Sequence, residues 1–342
     1  MPQTFRLQAA NPADVARAAE LLRAGGLVAF ATETVYGLGA NALSAEAVAS
    51  IFAAKQRPAW DPLIVHLGAL DEIDRIALIS DELRARVHRL AAAFWPGPLT
   101  MLLPRSAAVP DAVTAGRPLV GVRIPAHTAA QALLRATGLP IAAPSANRFG
   151  RTSPTTAEHV LADLGGRIDA VLDAGPTQVG IESTVVDVTR TPIVQYRPGA
   201  VTPQQIEAAS GVPVELYVTP EKQHKPEALP SPGVGIRHYA PRARLVLVDS
   251  TDPYTLARAA GTQQTPNSVG FLLPTGWLSP LSGAFVFQWG DWGDPQALAQ
   301  NLFAGLRELD ATGADLIVVP LPPPGGGYDA IRDRLLKAAR DK

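Results

Sequence analysis

The chain has 342 residues, 47% of them hydrophobic and 18% charged, so it can bury a large core, and its length suggests two domains. A net charge of −1 gives no general pull toward nucleic acid or acidic lipid, and the lack of cysteine excludes disulfides, thiolate metal sites and a cysteine nucleophile. No run approaches the roughly 20 apolar residues of a membrane span, and the first residues lack the charged start and apolar core of a signal peptide, so a soluble cytoplasmic protein is expected.

In chain order, Asn11-Pro12-Ala13-Asp14 opens a first helix: Asn caps, Pro takes the first helical position, and Asp14 lies in the first turn. Gly25-Gly26 stops it. Residues 27–30 read as a buried strand and residues 32–39 as a polar, glycine-containing loop. A helix follows Ser44, with Val48, Ile51 and Phe52 on one side, and ends on Lys55-Gln56-Arg57-Pro58. Residues 63–67 form a second strand. One strand–loop–helix–strand unit thus delivers Thr34, Lys55, Arg57 and His66 from element ends, where side chains can face a cleft.

Ser80 caps a helix that Trp95-Pro96-Gly97-Pro98 terminates, and strands follow over 100–103 and 120–125. Residues 139–143 are a further strand, ending in Ser145-Ala146-Asn147. Thr155-Thr156-Ala157-Glu158 is a capping-box pattern opening a helix over 159–164, with His159 expected on the solvent face. Strands over 170–173, 183–188 and 193–197, then a short helix from Thr202, complete an α/β sheet domain over 1–216. Prolines at 220, 226, 230, 232 and 241 make 217–243 an extended linker. Residues 244–342 alternate strand and helix as a small parallel, Rossmann-like α/β domain, without a phosphate-binding glycine pattern after its first strand.

Taken singly, each candidate residue has a plain structural reading. Lys55 and Arg57 in a last helical turn complement the helix dipole, a glycine-bearing loop makes a turn, and His66 in an apolar run sits in a core. Arg123 in mid-strand either lies in water at a sheet edge or needs an anionic partner, protein or ligand. Ser145 and Asn147 suit phosphate and ribose, and equally suit an ordinary turn. The ordered set is what carries information.

That set resembles the threonylcarbamoyl-AMP synthase family, with its YrdC-like catalytic domain. The chain has T-x-T-x-Y-G-L at 32–38, K-x-R-P at 55–58, P-L-I-V-H at 62–66, S-x-N at 145–147, Glu182-Ser183-Thr184-Val185-Val186-Asp187, and Tyr196-Arg197-Pro198-Gly199. Ser231-Pro232-Gly233 through His238-Tyr239-Ala240-Pro241 resembles the linker motif of longer members, which folds over the cavity and contacts nucleotide. The resemblance implies a curved mixed-sheet domain with a concave cavity. It implies catalytic roles for Lys55 and Arg57. Thr34, His66, Arg123, Ala143 and Ser183 would bind threonine, with the planar fork of Arg123 on the carboxylate. Arg57, Asp61, Ser145, Asn147, Ser153, Arg197 and Tyr239 would bind ATP. Asp61 stands where many members carry Asn, and an acid there repels phosphate unless it meets Mg²⁺ or a base edge.

The implied reaction joins L-threonine, bicarbonate or CO2, and ATP into threonylcarbamoyl-AMP and pyrophosphate. Mg²⁺ would accompany ATP, with no protein-bound transition metal. The product would pass to tRNA-modifying transferase proteins acting beside the anticodon; neither membrane nor stable direct nucleic-acid binding is expected. The attacking carbamate oxygen is already anionic, so orientation and charge neutralisation suffice, and the lack of a Ser-His-Asp or paired-carboxylate set fits. Two alternatives share the fold: a double-stranded RNA-binding module, and a carbamoyl-adenylating domain of hydrogenase maturation, which carries cysteine-rich zinc modules.

Overall fold

The computed structural model describes residues 3–218, 229, 231, 238–261 and 268–340. Contacts divide the chain into two compact units: Met1–Phe149, Pro154–Gln178 and Glu182–Gly235, and Gly150–Ser153, Val179–Ile181 and Ile236–Lys342. The lid expected within 217–243 falls largely outside the described residues; of its motif, Ser231, His238, Tyr239, Ala240 and Pro241 are described.

The first unit runs β1 (Phe5–Gln8), α1 (Pro12–Arg23), β2 (Val28–Ala31), β3 (Tyr36–Asn41), α2 (Ala45–Lys55), β4 (Ile64–His66), α3 (Asp81–Phe94), β5 (Leu99–Pro104), α4 (Asp111–Thr114), β6 (Leu119–Arg123), α5 (Thr128–Thr137), β7 (Ile141–Ala142), α6 (Ala157–Leu164), β8 (Ala170–Asp173), β9 (Thr184–Asp187), β10 (Ile193–Arg197), α7 (Pro203–Ser210) and β11 (Val214–Leu216). Its strands form one mixed sheet in the order β1-β8-β2-β3-β7-β4-β6-β5-β9-β10-β11. Both faces are covered, which is why its strands read as continuous apolar runs. Along β2, Val28 and Phe30 join a core with Leu22 of α1 and Leu133 of α5, while Ala29 and Ala31 join one with Ile51 of α2 and Leu90 of α3. Asn11, Ser44, Ser80 and Thr156 cap their helices through side-chain oxygens.

The structure corrects the reading of 32–39 as loop. Tyr36–Asn41 is a strand, paired antiparallel with β2 and β7. Its glycines mark close packing rather than a turn. A Cβ on Gly39 would lie 2.9 Å from a ring carbon of Phe30, and one on Gly37 would lie 3.2 Å from the Ala143 Cβ. His159 is also corrected: it is half-buried, with Nδ1 3.3 Å from both the backbone nitrogen and the hydroxyl of Thr155.

The second unit continues with β12 (Arg244–Val248), α8 (Pro253–Ala260), β13 (Val269–Leu273), β14 (Phe285–Gln288), α9 (Pro295–Ala311), β15 (Leu316–Pro320) and α10 (Asp329–Ala338). Its four strands are parallel, in the order β12-β15-β13-β14, as the alternation of strand and helix led one to expect.

Candidate active site

In the first unit, two strand ends and a hairpin turn converge. β4 and β6 run parallel with His66 and Arg123 as register partners, so the two side chains sit beside each other. Between β2 and β3 the turn Thr32-Glu33-Thr34-Val35 folds onto itself. The Thr32 hydroxyl accepts from the backbone nitrogens of Thr34 and Val35 at 3.2 and 3.3 Å and donates to the Val35 carbonyl at 2.7 Å. Its one proton is thereby placed, so the Thr34 hydroxyl, 2.8 Å away, donates to Thr32. The lone pairs of Thr34 then face Arg123, whose Nη1 donates to them at 2.9 Å.

Arg123 is buried to 3% exposure and fixed on every side. Nε donates to the Gly97 carbonyl at 3.1 Å, and Nη2 lies 2.6 Å from Glu33 Oε1. The other Glu33 oxygen accepts from the Ala126 nitrogen at 3.0 Å, just ahead of α5. Burial pushes the Glu33 carboxyl up, but the charge and contact of Arg123 outweigh it and hold the group below its ordinary value. Burial, then the charge of Arg123, depress His66 to about 3, so its imidazole is neutral near pH 7. Its Nδ1 faces the Ile64 carbonyl at 3.3 Å, and its ring stands edge-on to Phe30.

Ser183 precedes β9 and lies in the same unit. Its hydroxyl is 2.8 Å from that of Thr100 on β5, and Arg197, the last residue of β10, donates to Ser183 through Nε (2.9 Å, carbonyl) and Nη2 (3.1 Å, hydroxyl). Ala143 is buried and donates its backbone N–H to Ile64.

Lys55, at the end of α2, is wholly buried. Its ammonium donates to the carbonyls of Ser145 and Asn147, at 2.5 Å each, and its own carbonyl accepts from Phe149. It therefore braces the Ser-Ala-Asn loop from within. Burial first, then the charge of Arg57, push the Lys55 amine well below its ordinary value, with Asp61 and Asp163 pulling the other way. Gln56 takes the left-handed conformation that ends α2 and turns the chain toward Arg57. Arg57 donates to the carbonyls of Asp61 and Pro62 at 3.1 and 2.7 Å, and its Nη2 lies 2.9 Å from the buried Asp61 carboxylate. The acid at position 61 therefore arrives compensated by a cation four residues away.

Thr34, Lys55, Arg57, Asp61, His66, Arg123, Ala143, Ser145, Asn147, Ser183 and Arg197 all belong to this unit. Ser153 and Tyr239 do not. Both belong to the second unit, where Arg307 donates to the Ser153 carbonyl and Tyr239 stacks on Phe303 with Arg334 over its ring. Sequence reasoning also passed over Thr32, Glu33 and Thr100. Glu33 was hidden because 32–39 read as a polar loop; with Tyr36–Asn41 a strand, its buried carboxylate demands a cation, just as Arg123 demands an anion.

Family models divide the chain almost completely. The one described as "Telomere recombination" matches residues 20–199, and the one described as "Threonylcarbamoyl-AMP synthase, C-terminal domain" matches residues 201–340. A protein of Pyrococcus abyssi with the name threonylcarbamoyl-AMP synthase is 40% identical over 331 residues, 94% of this chain and 93% of its own. The chain belongs to the threonylcarbamoyl-AMP synthase family. The threonylcarbamoyl-AMP synthase of Bacillus subtilis is likewise 40% identical, over 96% of this chain and 94% of its own. A crystal structure of P. abyssi Sua5 complexed with L-threonine superposes with a TM-score of 0.87 at 37% identity, covering 98% of this chain and 97% of that one. Membership in the threonylcarbamoyl-AMP synthase family thus extends through both units, which removes the hydrogenase-maturation reading.

Proposed function

We propose that this chain makes L-threonylcarbamoyl-AMP and pyrophosphate from L-threonine, bicarbonate or CO2, and ATP, for threonylcarbamoyl modification of adenosine in tRNA. The observation that carries the reading is Arg123, a buried guanidinium held flat by Gly97 and Thr34 beside a neutral His66 and the Ser183–Thr100 hydroxyl pair. A buried Arg123–Glu33 pair beside several hydroxyl and imidazole groups suits a small, polar amino acid. Arg123 takes its carboxylate, and Thr34, His66, Ala143 and Ser183 surround the rest.

The amine captures CO2 as a carbamate, losing one proton. A carbamate oxygen then attacks the α-phosphorus, and the bond to pyrophosphate breaks. An anionic nucleophile needs no strong base, so what the protein supplies is alignment and positive charge. Arg57 and Arg197 face the phosphates. Lys55 acts from behind, holding the Ser145 and Asn147 carbonyls and so the loop at the nucleotide. Asp61 keeps Arg57 in place.

Among the described residues no group of three or more His, Asp or Glu side chains is gathered that could hold a metal ion. Mg²⁺ enters bound to the phosphates of ATP, in keeping with its habit of retaining phosphate and water ligands. No helix among the described residues is long and apolar enough to cross a membrane. In the proposed pathway the product passes to a tRNA-modifying transferase in the cytoplasm. Residues 1–216 are the catalytic domain, 217–243 a linker and lid, and 244–342 a Rossmann-like domain. The test is pyrophosphate release from ATP in the presence and absence of threonine and bicarbonate.

A further inference from the structure

We infer that Glu33 is a resident counter-ion that competes with the substrate carboxylate for Arg123, and so sets a threshold that only a ligand with further contacts in the pocket overcomes. The inference rests on the reading of Arg123 as the carboxylate contact.

Arg123 does not need Glu33 for its orientation. Nε is held by the Gly97 carbonyl at 3.1 Å and Nη1 by the Thr34 hydroxyl at 2.9 Å, two points that define the plane of the guanidinium. Thr34 is itself held by Thr32. The Glu33 contact is of another kind. Oε1 lies 2.6 Å from Nη2, a charge-assisted contact at the outer end of the guanidinium. The second carboxylate oxygen accepts from the Ala126 nitrogen, a bond that an amide oxygen would accept as well. An amide could keep the Ala126 bond, but its NH2 group would then stand at Nη2 in place of an oxygen. What only a carboxylate supplies is the negative charge.

That charge sits in a pocket where the side chains of Arg123 and Glu33 are 4% and 6% exposed. Screening there is weak, and the pair is close to neutral as a whole. A carboxylate arriving at Nη2 meets a second carboxylate on the same nitrogen, and like charges so placed repel strongly. A bare organic anion consequently gains little by entering. An amino acid brings further groups for Thr34, His66 and Ser183, and these contacts offset the repulsion. The repulsion falls on both ligands alike and acts as a threshold, and the further contacts decide which ligand passes it. Without Glu33, the same pocket would hold a buried cation open to any small carboxylate.

The substitution Glu33→Gln separates charge from shape. In the full chain, threonine should bind on the order of tenfold more tightly than to the wild type by calorimetry, because the competing charge is gone. Isobutyrate, which has the carboxylate but no amine or hydroxyl, should bind to the variant without threonine present at a concentration that leaves the wild type empty. The ATP dissociation constant should be the same in both. A supporting role for Glu33 gives the opposite sign, so weaker threonine binding, or a variant indifferent to isobutyrate, overturns the inference. Glu33→Asp keeps the charge but draws it back from Nη2, and it is the variant to read if Glu33→Gln does not fold. Its threonine dissociation constant should fall below wild type, and a rise counts against the inference. Arg123→Lys tells the two layers apart. If it binds threonine as the wild type does, the carboxylate reading falls and the counter-ion with it. If it loses threonine while Glu33→Gln fails to tighten, the counter-ion inference falls alone.

Discussion

The Thr34 hydroxyl accepts a 2.9 Å hydrogen bond from Arg123, 89 positions away in the chain. This bond joins the hairpin turn after β2 to the end of β6, and it fixes a buried guanidinium against a loop that opens the family's first motif. Because the Thr34 proton is committed to Thr32, the arrangement is directional: the turn presents oxygen lone pairs, and Arg123 presents N–H groups.

Arg123→Lys should therefore weaken threonine binding while sparing ATP. Lysine keeps the charge but cannot reach Gly97, Thr34 and a ligand at once, a loss on the order of 1–3 kcal/mol. Separate calorimetric titrations with threonine and with ATP check this. Equal weakening toward both ligands would place Arg123 in a general structural role.

Lys55→Met should affect nucleotide use and stability together. It leaves the carbonyls of Ser145 and Asn147 buried without their ammonium donor, at a cost on the order of 1–3 kcal/mol for each group left unsatisfied. The denaturation midpoint and the ATP dissociation constant should both shift, with threonine binding less affected. A variant that loses activity at undiminished stability and ATP affinity would instead give Lys55 a direct chemical role.

The acid side of the stability profile should carry a signature of His66. Its folded value, about 3, lies below the ordinary 6.5, so unfolding takes up a proton between the two. The contribution is complete above about pH 6.5 and is lost as pH falls toward 3, at up to about 1.4 kcal/mol per pH unit. Replacement by Asn should flatten the curve of unfolding free energy against pH between 6.5 and 4.5. An unchanged slope would mean that His66 is protonated in the folded protein.

Gly39→Ala should destabilise the first unit by roughly 1–3 kcal/mol, since the added carbon would press on Phe30, Ile141 and the Val28 carbonyl. Thermal unfolding measures it. A neutral result would mean that β2 and β7 can part around the extra carbon.

These contacts also mark what the sequence could convey. Local signals were legible: Asn11, Ser44 and Ser80 announced helices that begin where expected, whereas the helix expected over 159–164 begins at Ala157 with Thr156 as its cap. The motif residues were legible as a set. The strand Tyr36–Asn41 was not, because glycine at 37 and 39 speaks locally of turns, and only the approach of Phe30, Ile141 and Ala143 gives it another meaning. Helix α5 was missed for a related reason: it opens on His127, an uncommon cap. The partners of the charged residues were equally hidden. Nothing within a few positions of Arg123 reveals Glu33, nor does the K-x-R-P motif show that Lys55 ends on two carbonyls some 90 residues onward. Periodicity reports which face is buried, whereas long-range pairing depends on sheet order, here β7-β4-β6, that no local pattern encodes.

The most direct test of the whole account is the dependence of pyrophosphate release on the co-substrates. With ATP and Mg²⁺ present, release should require both L-threonine and bicarbonate, and should fall to background when either is withheld or when threonine is replaced by an amino acid lacking the hydroxyl. Release at the same rate without any amino acid would contradict the proposed function.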